Sequence, residues 1–250
     1  MHTIVLATQK GGSGKTTLAI GLALAARQAG HNVRMIDTDH QRTLSNWQVR
    51  RGIAEPVVEF IRGADGIAHR LAAFDRGGVS LTVIDTASGA HEVTLAAIRS
   101  CDLCMIPTRP TVADIEATAA TLNIARAWRK PFAFVLNQAP PRGRRSDEAA
   151  AALGALATDL AGVLAQPFVA MRNDHQDALA AGIAVTEYAP SGKSAEEIRS
   201  LWRWTEARLV AEPASEHGRT EMSAGQPSAD TPARQLPLAG DNGAAWDAGL

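Results

Sequence analysis

Lys10-Gly11-Gly12-Ser13-Gly14-Lys15-Thr16-Thr17 follows the apolar run Ile4-Val5-Leu6-Ala7 and runs directly into Leu18-Ala19-Ile20-Gly21-Leu22-Ala23-Leu24. This order reads as a strand, a glycine loop and a helix. The three glycines carry no Cβ, so successive backbone N–H groups can close around phosphate oxygens at the positive end of the helix that follows. Gly11, Gly12, Ser13, Gly14 and Thr17 are candidate phosphate-binding residues. Lys15 is placed to reach the β- and γ-phosphates and Thr16 to ligate Mg²⁺. A strict phosphate loop has a glycine five residues before Gly14, where this chain has Gln9. Instead it carries a second lysine, Lys10. Of four lysines in 250 residues, two stand in this one loop, against 21 arginines elsewhere. An ammonium is a compact charge that the planar guanidinium does not replace in a tight phosphate cage.

The chain is long enough for one α/β domain with a tail, and 46% hydrophobic residues suffices for one sizeable core. Its formal charge of −1 conceals a split. Residues 1–211 hold 23 basic and 20 acidic side chains, whereas 212–250 hold two and six. A nucleic-acid role therefore requires a local basic patch. Two cysteines exclude a disulfide framework, and no leader precedes the first strand, so a cytoplasmic protein is expected. No run of 18 apolar residues occurs, and the stretch from Ala149 to Ala165, broken by Asp159, reads as a soluble helix.

Further along, a second strand, Asn32-Val33-Arg34-Met35-Ile36, delivers Asp37-Thr38-Asp39-His40-Gln41 to its carboxyl end, where ligands bind in open α/β sheets. Asp39 is the candidate for orienting the attacking water in phosphoryl transfer, which is mostly positioning and electrostatics. An acidic turn before a helix is the plainer alternative. Val57-Val58-Glu59-Phe60-Ile61 reads as a short strand before an amphipathic helix. Leu81-Thr82-Val83-Ile84 is a continuous apolar run, as a central parallel strand should be, and ends in Asp85. Asp85 is the candidate Mg²⁺ carboxylate, directly or through water. Cys101-Asp102-Leu103-Cys104 has no second cysteine pair and runs into another apolar strand, so both cysteines read as structural. A helix over 111–129 precedes Phe132-Ala133-Phe134-Val135-Leu136, which delivers Asn137. Its amide offers a donor and an acceptor, matching the adenine edge.

These motifs, in this order, resemble the deviant Walker A group of P-loop ATPases, the ParA/MinD superfamily. The likeness extends over about residues 1–210. It includes Asp37-Thr38-Asp39-His40-Gln41, where relatives have proline in place of His40. It also includes Pro107-Thr108-Arg109-Pro110-Thr111-Val112-Ala113-Asp114 and the segment from Thr186 to Ile198. The resemblance implies a doubly wound, mostly parallel sheet with helices on both faces. It implies ATP and Mg²⁺ as cofactors, with Lys10, Lys15 and Asp39 as catalytic residues and Asn137 on adenine. Lys10 would reach the partner's ATP across a homodimer. The short plasmid-partition members further imply non-specific DNA binding, slow ATP hydrolysis and a centromere-binding adaptor that stimulates it, with nucleoid association. The same switch positioning a protein cargo such as a chemotaxis cluster or carboxysome on the nucleoid, and a metabolic P-loop amidase or ligase, remain open.

Arg142-Gly143-Arg144-Arg145 is the densest positive cluster, followed by Ser146 as a helix N-cap. It is either a basic patch or a solvated loop. In the last helix, capped by Ser191 or Ser194, Ile198, Leu201, Trp202, Thr205 and Leu209 form the buried stripe. Arg199 and Arg203 fall on another face. With Lys193 and Arg172 they are candidates for DNA phosphate contacts, the alternative being an ordinary solvated face. Residues 212–250 lack apolar periodicity and read as a disordered acidic tail, which argues against a basic membrane-binding helix and any membrane partner.

Overall fold

Six short apolar runs align as one sheet in the computed structural model, which describes residues 1–142, 144–157 and 162–211. In chain order the elements are β1 (His2–Leu6), α1 (Lys15–Gln28), β2 (Val33–Asp37), α2 (Thr43–Arg51), β3 (Val57–Phe60), α3 (Ala64–Arg76), β4 (Leu81–Asp85) and α4 (Glu92–Ser100). They continue with β5 (Leu103–Thr108), α5 (Val112–Ala127), β6 (Phe132–Leu136), α6 (Arg145–Leu156), α7 (Asp174–Ala180), α8 (Val185–Tyr188) and α9 (Lys193–Ala211). The strand order is β3-β2-β4-β1-β5-β6, and every pairing is parallel. The expected doubly wound sheet is thus parallel throughout.

Alternation along the strands divides the core into two layers. Ile4, Leu6, Met35, Leu81, Val83, Leu103, Met105 and Val135 face one side, packed against α1, α2 and α7 to α9. Val5, Ile36, Ile84, Cys104, Ile106, Phe134 and Leu136 face the other, covered by α3 to α6. A sheet buried on both faces requires near-continuous apolar strands, which is why these segments do not alternate in polarity. Helix α1 is buried from Leu18 through Ala26, because α9 covers the side that the sheet does not. The expected stripe of α9 is buried, from Ile198 to Leu209.

The register brings the functional ends together. Leu6 of β1 and Asp37 of β2 both pair with Asp85 of β4, so three strands end in one row. The chain leaves β1 towards β2 and leaves β4 towards β5, in opposite directions, which opens a crevice at their carboxyl ends.

Three local expectations are corrected. The helix expected from Ala149 to Ala165 ends at Leu156. Beyond the undescribed 158–161, the chain runs extended beside β6: Phe134 N–H donates to Val163 O, and Ala165 N–H to Phe134 O. Unpaired backbone on the edge strand takes precedence over alanine's helix propensity. Ser146 is no N-cap, since α6 starts at Arg145 and follows Arg144. Helix α9 starts at Lys193 after Gly192, so neither Ser191 nor Ser194 stands at the capping position; Ser194 lies in the first turn and donates instead to Asp174 of α7. The expected tail at 212–250, and the boundary before it, lie outside the described residues. No described helix is long and apolar enough to cross a membrane.

Candidate functional site

The loop from Ala7 to Gly14 turns over the end of β1 and points the first turn of α1 into the crevice. Gly14 takes φ 88°, and a Cβ there would collide with the Asn137 amide. Glycine is therefore needed both for the left-handed backbone and for the close approach. Asn137, delivered by β6, is buried and donates from Nδ2 to Ser13 O at 2.8 Å, while its neighbour Gln138 donates from Nε2 to Gly12 O at 2.8 Å. Two side-chain amides from the far edge of the sheet thus brace the loop.

Lys15 points inward, 7% exposed, and donates to Ser88 Oγ at 2.9 Å. Burial lowers its pKa, opposed by the charges of Asp85 and Asp39. The Thr16 hydroxyl donates to Asp85 Oδ2 at 2.6 Å, and Asp85 Oδ1 is buried with no partner among the described residues. Burial pushes the Asp85 carboxyl up to about 7, eased by the Thr16 hydrogen bond and reinforced by the Asp37 charge. An orphaned carboxylate oxygen beside a hydroxyl is a hard-oxygen donor set. It fits a magnesium ion that keeps waters and takes its other ligands from phosphates.

Across the crevice, Asp37 is committed to structure. Its Oδ1 accepts from Asp39 N–H at 3.0 Å and its Oδ2 from the Ser45 N–H and hydroxyl at 2.9 and 2.7 Å. These bonds shape the turn that holds Asp39 half-exposed at the rim, its Oδ1 accepting from Gln41 N–H at 2.9 Å. His40 is exposed beside it. At the front of the loop, Lys10 Nζ lies 3.0 Å from Asp114 Oδ1 in the first turn of α5. Beside the start of α1 is a cavity of ≈ 140 Å³ whose lining includes Gly14, Thr17, Asn137, Met171, Arg172 and His175. It adjoins the glycine loop through Gly14 and Thr17.

Residues 4–193 match the CobQ/CobB/MinD/ParA nucleotide-binding domain. The chain belongs to that family. Protein virC1 of Rhizobium radiobacter is 31% identical over 156 residues, which are 58% of this chain and 67% of the relative. Maintenance of carboxysome distribution protein A of Halothiobacillus neapolitanus is 25% identical over 209 residues, 80% of this chain and 94% of the relative. Among solved structures, the MinC:MinD cell division complex of Aquifex aeolicus superposes with TM-score 0.68 at 16% identity, covering 86% of this chain and 98% of that one. A Cyanothece McdA–ATP complex gives TM-score 0.64 at 17% identity, with coverages of 86% and 99%. At these identities the superpositions establish the fold.

For this member of the CobQ/CobB/MinD/ParA family, the crevice gathers Lys10, Gly11, Gly12, Ser13, Gly14, Lys15, Thr16, Thr17, Asp39, Asp85 and Asn137. Of the four residues singled out for DNA, Lys193, Arg199 and Arg203 are not gathered there. Arg203 Nη2 donates to Glu196 Oε1 at 2.6 Å, and Arg199 Nε lies 3.5 Å from Glu196 Oε2. Lys193 is exposed and has no partner among the described residues. Arg172 turns away from them, lines the cavity beside the start of α1 and pairs with Glu197 at 2.6 Å. Ser88, Gln138 and His175 were missed. Ser88 and Gln138 follow Asp85 and Asn137 closely enough to be sought beside them. His175 reaches the cavity only because the chain runs extended along β6, a path that no motif marks. Burial keeps its imidazole pKa low, opposed by the charges of Glu197 and Asp174.

Cys101 and Cys104 are buried and unpaired, and burial pushes the Cys101 thiol up to about 12. Such thiols pack as small apolar groups, in keeping with a structural role.

Proposed function

We propose that the protein is an ATP-dependent dimerising switch that binds DNA without reading sequence and hydrolyses ATP, so that an adaptor can move cargo. The observation that carries this reading is the placing of the two loop lysines. Lys15 is buried behind the loop on Ser88, whereas Lys10 stands at its front, 37% exposed, on Asp114. One ammonium serves the phosphates held by its own chain. The other, once released from Asp114, serves those of a second chain.

In this mechanism the backbone of Gly11 to Thr17 and the Lys15 ammonium bind the phosphates, and Asn137 borders the adenine. Thr16 and Asp85 would hold magnesium, which supplies charge neutralisation on the phosphate oxygens. Asp39, on its turn above Asp37, orients water at the terminal phosphate. Joining two subunits doubles the DNA contacts, so weak faces bind together with higher avidity. Lys193, Arg199 and Arg203 of α9 are the candidates for that face, together with Arg172 once released from Glu197. An adaptor bound to a DNA centromere is one partner. A cargo adaptor is the second reading, favoured by the near full-length alignment with the carboxysome distribution protein.

Binding to a random-sequence duplex with ATP, ADP or no nucleotide, across a salt series, tests the proposal. Wild type is expected to bind only with ATP, with affinity falling steeply as salt rises, and Lys10→Ala to lose that binding. Absence of DNA binding in every nucleotide state would overturn both adaptor readings, since a cargo positioned on the nucleoid also needs DNA, and would put a metabolic P-loop amidase or ligase in front.

A further inference from the structure

The end of β5 brings the phosphate loop a cation beyond its two lysines. Arg109 follows Thr108, and one edge of its guanidinium is fixed: Nε donates to Asp114 Oδ2 at 2.9 Å and Nη2 to Oδ1 at 3.1 Å. Asp114 is 3% exposed and also accepts from the Thr111 hydroxyl at 2.6 Å. Burial raises its pKa, but the hydrogen bonds from Arg109, Thr111 and Lys10 outweigh burial and hold it below the ordinary carboxylate range. The remaining nitrogen, Nη1, has no partner among the described residues. It lies over the loop: a Cβ built on Gly12 would stand 3.9 Å from it.

A single buried carboxylate therefore holds two cations, Lys10 and Arg109, and the trio keeps one net positive charge at the mouth of the loop. Guanidinium recognises phosphate through two parallel N–H groups. With Nε and one N–H of Nη2 committed to Asp114, Nη1 and the outer N–H of Nη2 are left as a fork of that kind. Its orientation is fixed before any ligand arrives, so little rotamer freedom remains to be lost on binding. The helix end of the loop, Gly14 to Thr16, takes the inner phosphates, and the front, Gly11 and Gly12, faces the outermost one.

We propose that Arg109 contacts the terminal phosphate of the bound nucleoside triphosphate, with Asp114 as its positioning residue. This rests on the reading of the loop as an ATP site. The contact distinguishes ATP from ADP, because a diphosphate leaves the front of the loop empty. It also places a preorganised positive charge where charge is redistributed during transfer of the phosphoryl group to water.

The test compares dissociation constants for a non-hydrolysable ATP analogue and for ADP, and kcat and KM for ATP hydrolysis, in wild type, Arg109→Gln, Arg109→Lys and Asp114→Asn. For Arg109→Gln, ADP affinity is expected to stay within about twofold and analogue affinity to fall about tenfold or more, the scale of a lost charge-assisted contact. Arg109→Lys should recover part of the analogue affinity but not kcat, since an ammonium has no fork. Asp114→Asn should move the analogue-to-ADP ratio in the same direction by a smaller factor. Equal weakening of both nucleotides, or of neither, by Arg109→Gln at unchanged thermal stability would overturn the assignment. If Lys15→Ala leaves wild-type affinity for both nucleotides intact, the ATP-site reading itself fails, which separates that failure from an error about Arg109 alone.

Discussion

Charges at the carboxyl edge of β1, β2 and β4 face one another across space left for a ligand, whereas in the layer of α2 and α7 to α9 most of the charged side chains, though not Lys193, are held in pairs. In the crevice, Asp85 Oδ1 is buried without a partner and Lys15 is desolvated. In the helical layer, Arg51 Nη1 and Nη2 donate to the two carboxylate oxygens of Glu187 at 2.7 and 2.6 Å. Arg172 is bound to Glu197, and Glu196 serves both Arg199 and Arg203. Buried polar groups are ordinarily satisfied, so a cluster that is not satisfied is stable only because the surrounding fold holds it, and a ligand can complete it. The paired layer joins helices and does not depend on a ligand.

The sharpest way to break this contrast is Arg51→Met. Arg51 is 6% exposed, and losing it leaves the Glu187 carboxylate half-buried between α2 and α8. Breaking a buried pair from one side costs about 3–5 kcal/mol, so a loss near 3 kcal/mol is expected in denaturant unfolding at pH 7, with nucleotide affinity unchanged. Burial raises the Glu187 pKa, but the Arg51 hydrogen bonds and the Ala184 N–H lower it further, and the net shift is downward. A depressed carboxylate contributes stability above its unfolded pKa, about 4.3, and loses it as pH falls through the folded value. The gap between wild type and Arg51→Met should therefore close in acid below about pH 4.3. A gap that widens there would mean that Glu187 is not the group responsible.

Lys15→Ala is the opposite case. It removes a desolvated ammonium whose protein partners are a hydroxyl and the more distant Asp85 and Asp39 charges, so thermal stability should not fall. Affinity for ATP, by calorimetric titration, should drop about a hundredfold, since a buried anion then lacks its nearest cation. A large loss of stability with little change in affinity would reverse the roles given to the two regions.

How much of this was legible follows from the same contrast. The central strands could be read because a sheet covered on both faces needs near-continuous apolar runs, whereas the edge strand β3, with Glu59 and only half-buried, is legible in its β-branched and aromatic residues. The loop was legible by its glycines and lysines at fixed spacing, and Asp85 and Asn137 because each follows an apolar run at the carboxyl edge. Pairing was not. Glu196 stands three and seven residues before Arg199 and Arg203, on their helix face, but the spacing does not say that one carboxylate holds both. Asp114 was visible within a family-like stretch, but its hold on both Lys10 and Arg109 depends on β1 and β5 lying side by side. The alanine-rich run after α6 misled because composition reports helix propensity and is silent about the open edge of β6.

The smallest expected effect tests what pairing does to the proposed DNA face. Arg199 and Arg203 are held by one exposed carboxylate, Glu196, whose pKa the Ser200 hydroxyl and both arginines draw down. A DNA phosphate must compete with that carboxylate, and Glu196 would repel the duplex as it approached. Glu196→Gln removes the charge and keeps the shape, so DNA affinity in the ATP state should rise a fewfold. The log–log salt dependence should steepen by roughly 0.9 for each guanidinium freed to bind a phosphate. ATP affinity, assigned to Lys15 and the loop, should not move. An unchanged salt slope, measured beside Lys193→Ala as the reference for one unpaired cation, would remove α9 from the DNA interface and move the search to Arg142, Arg144 and Arg145.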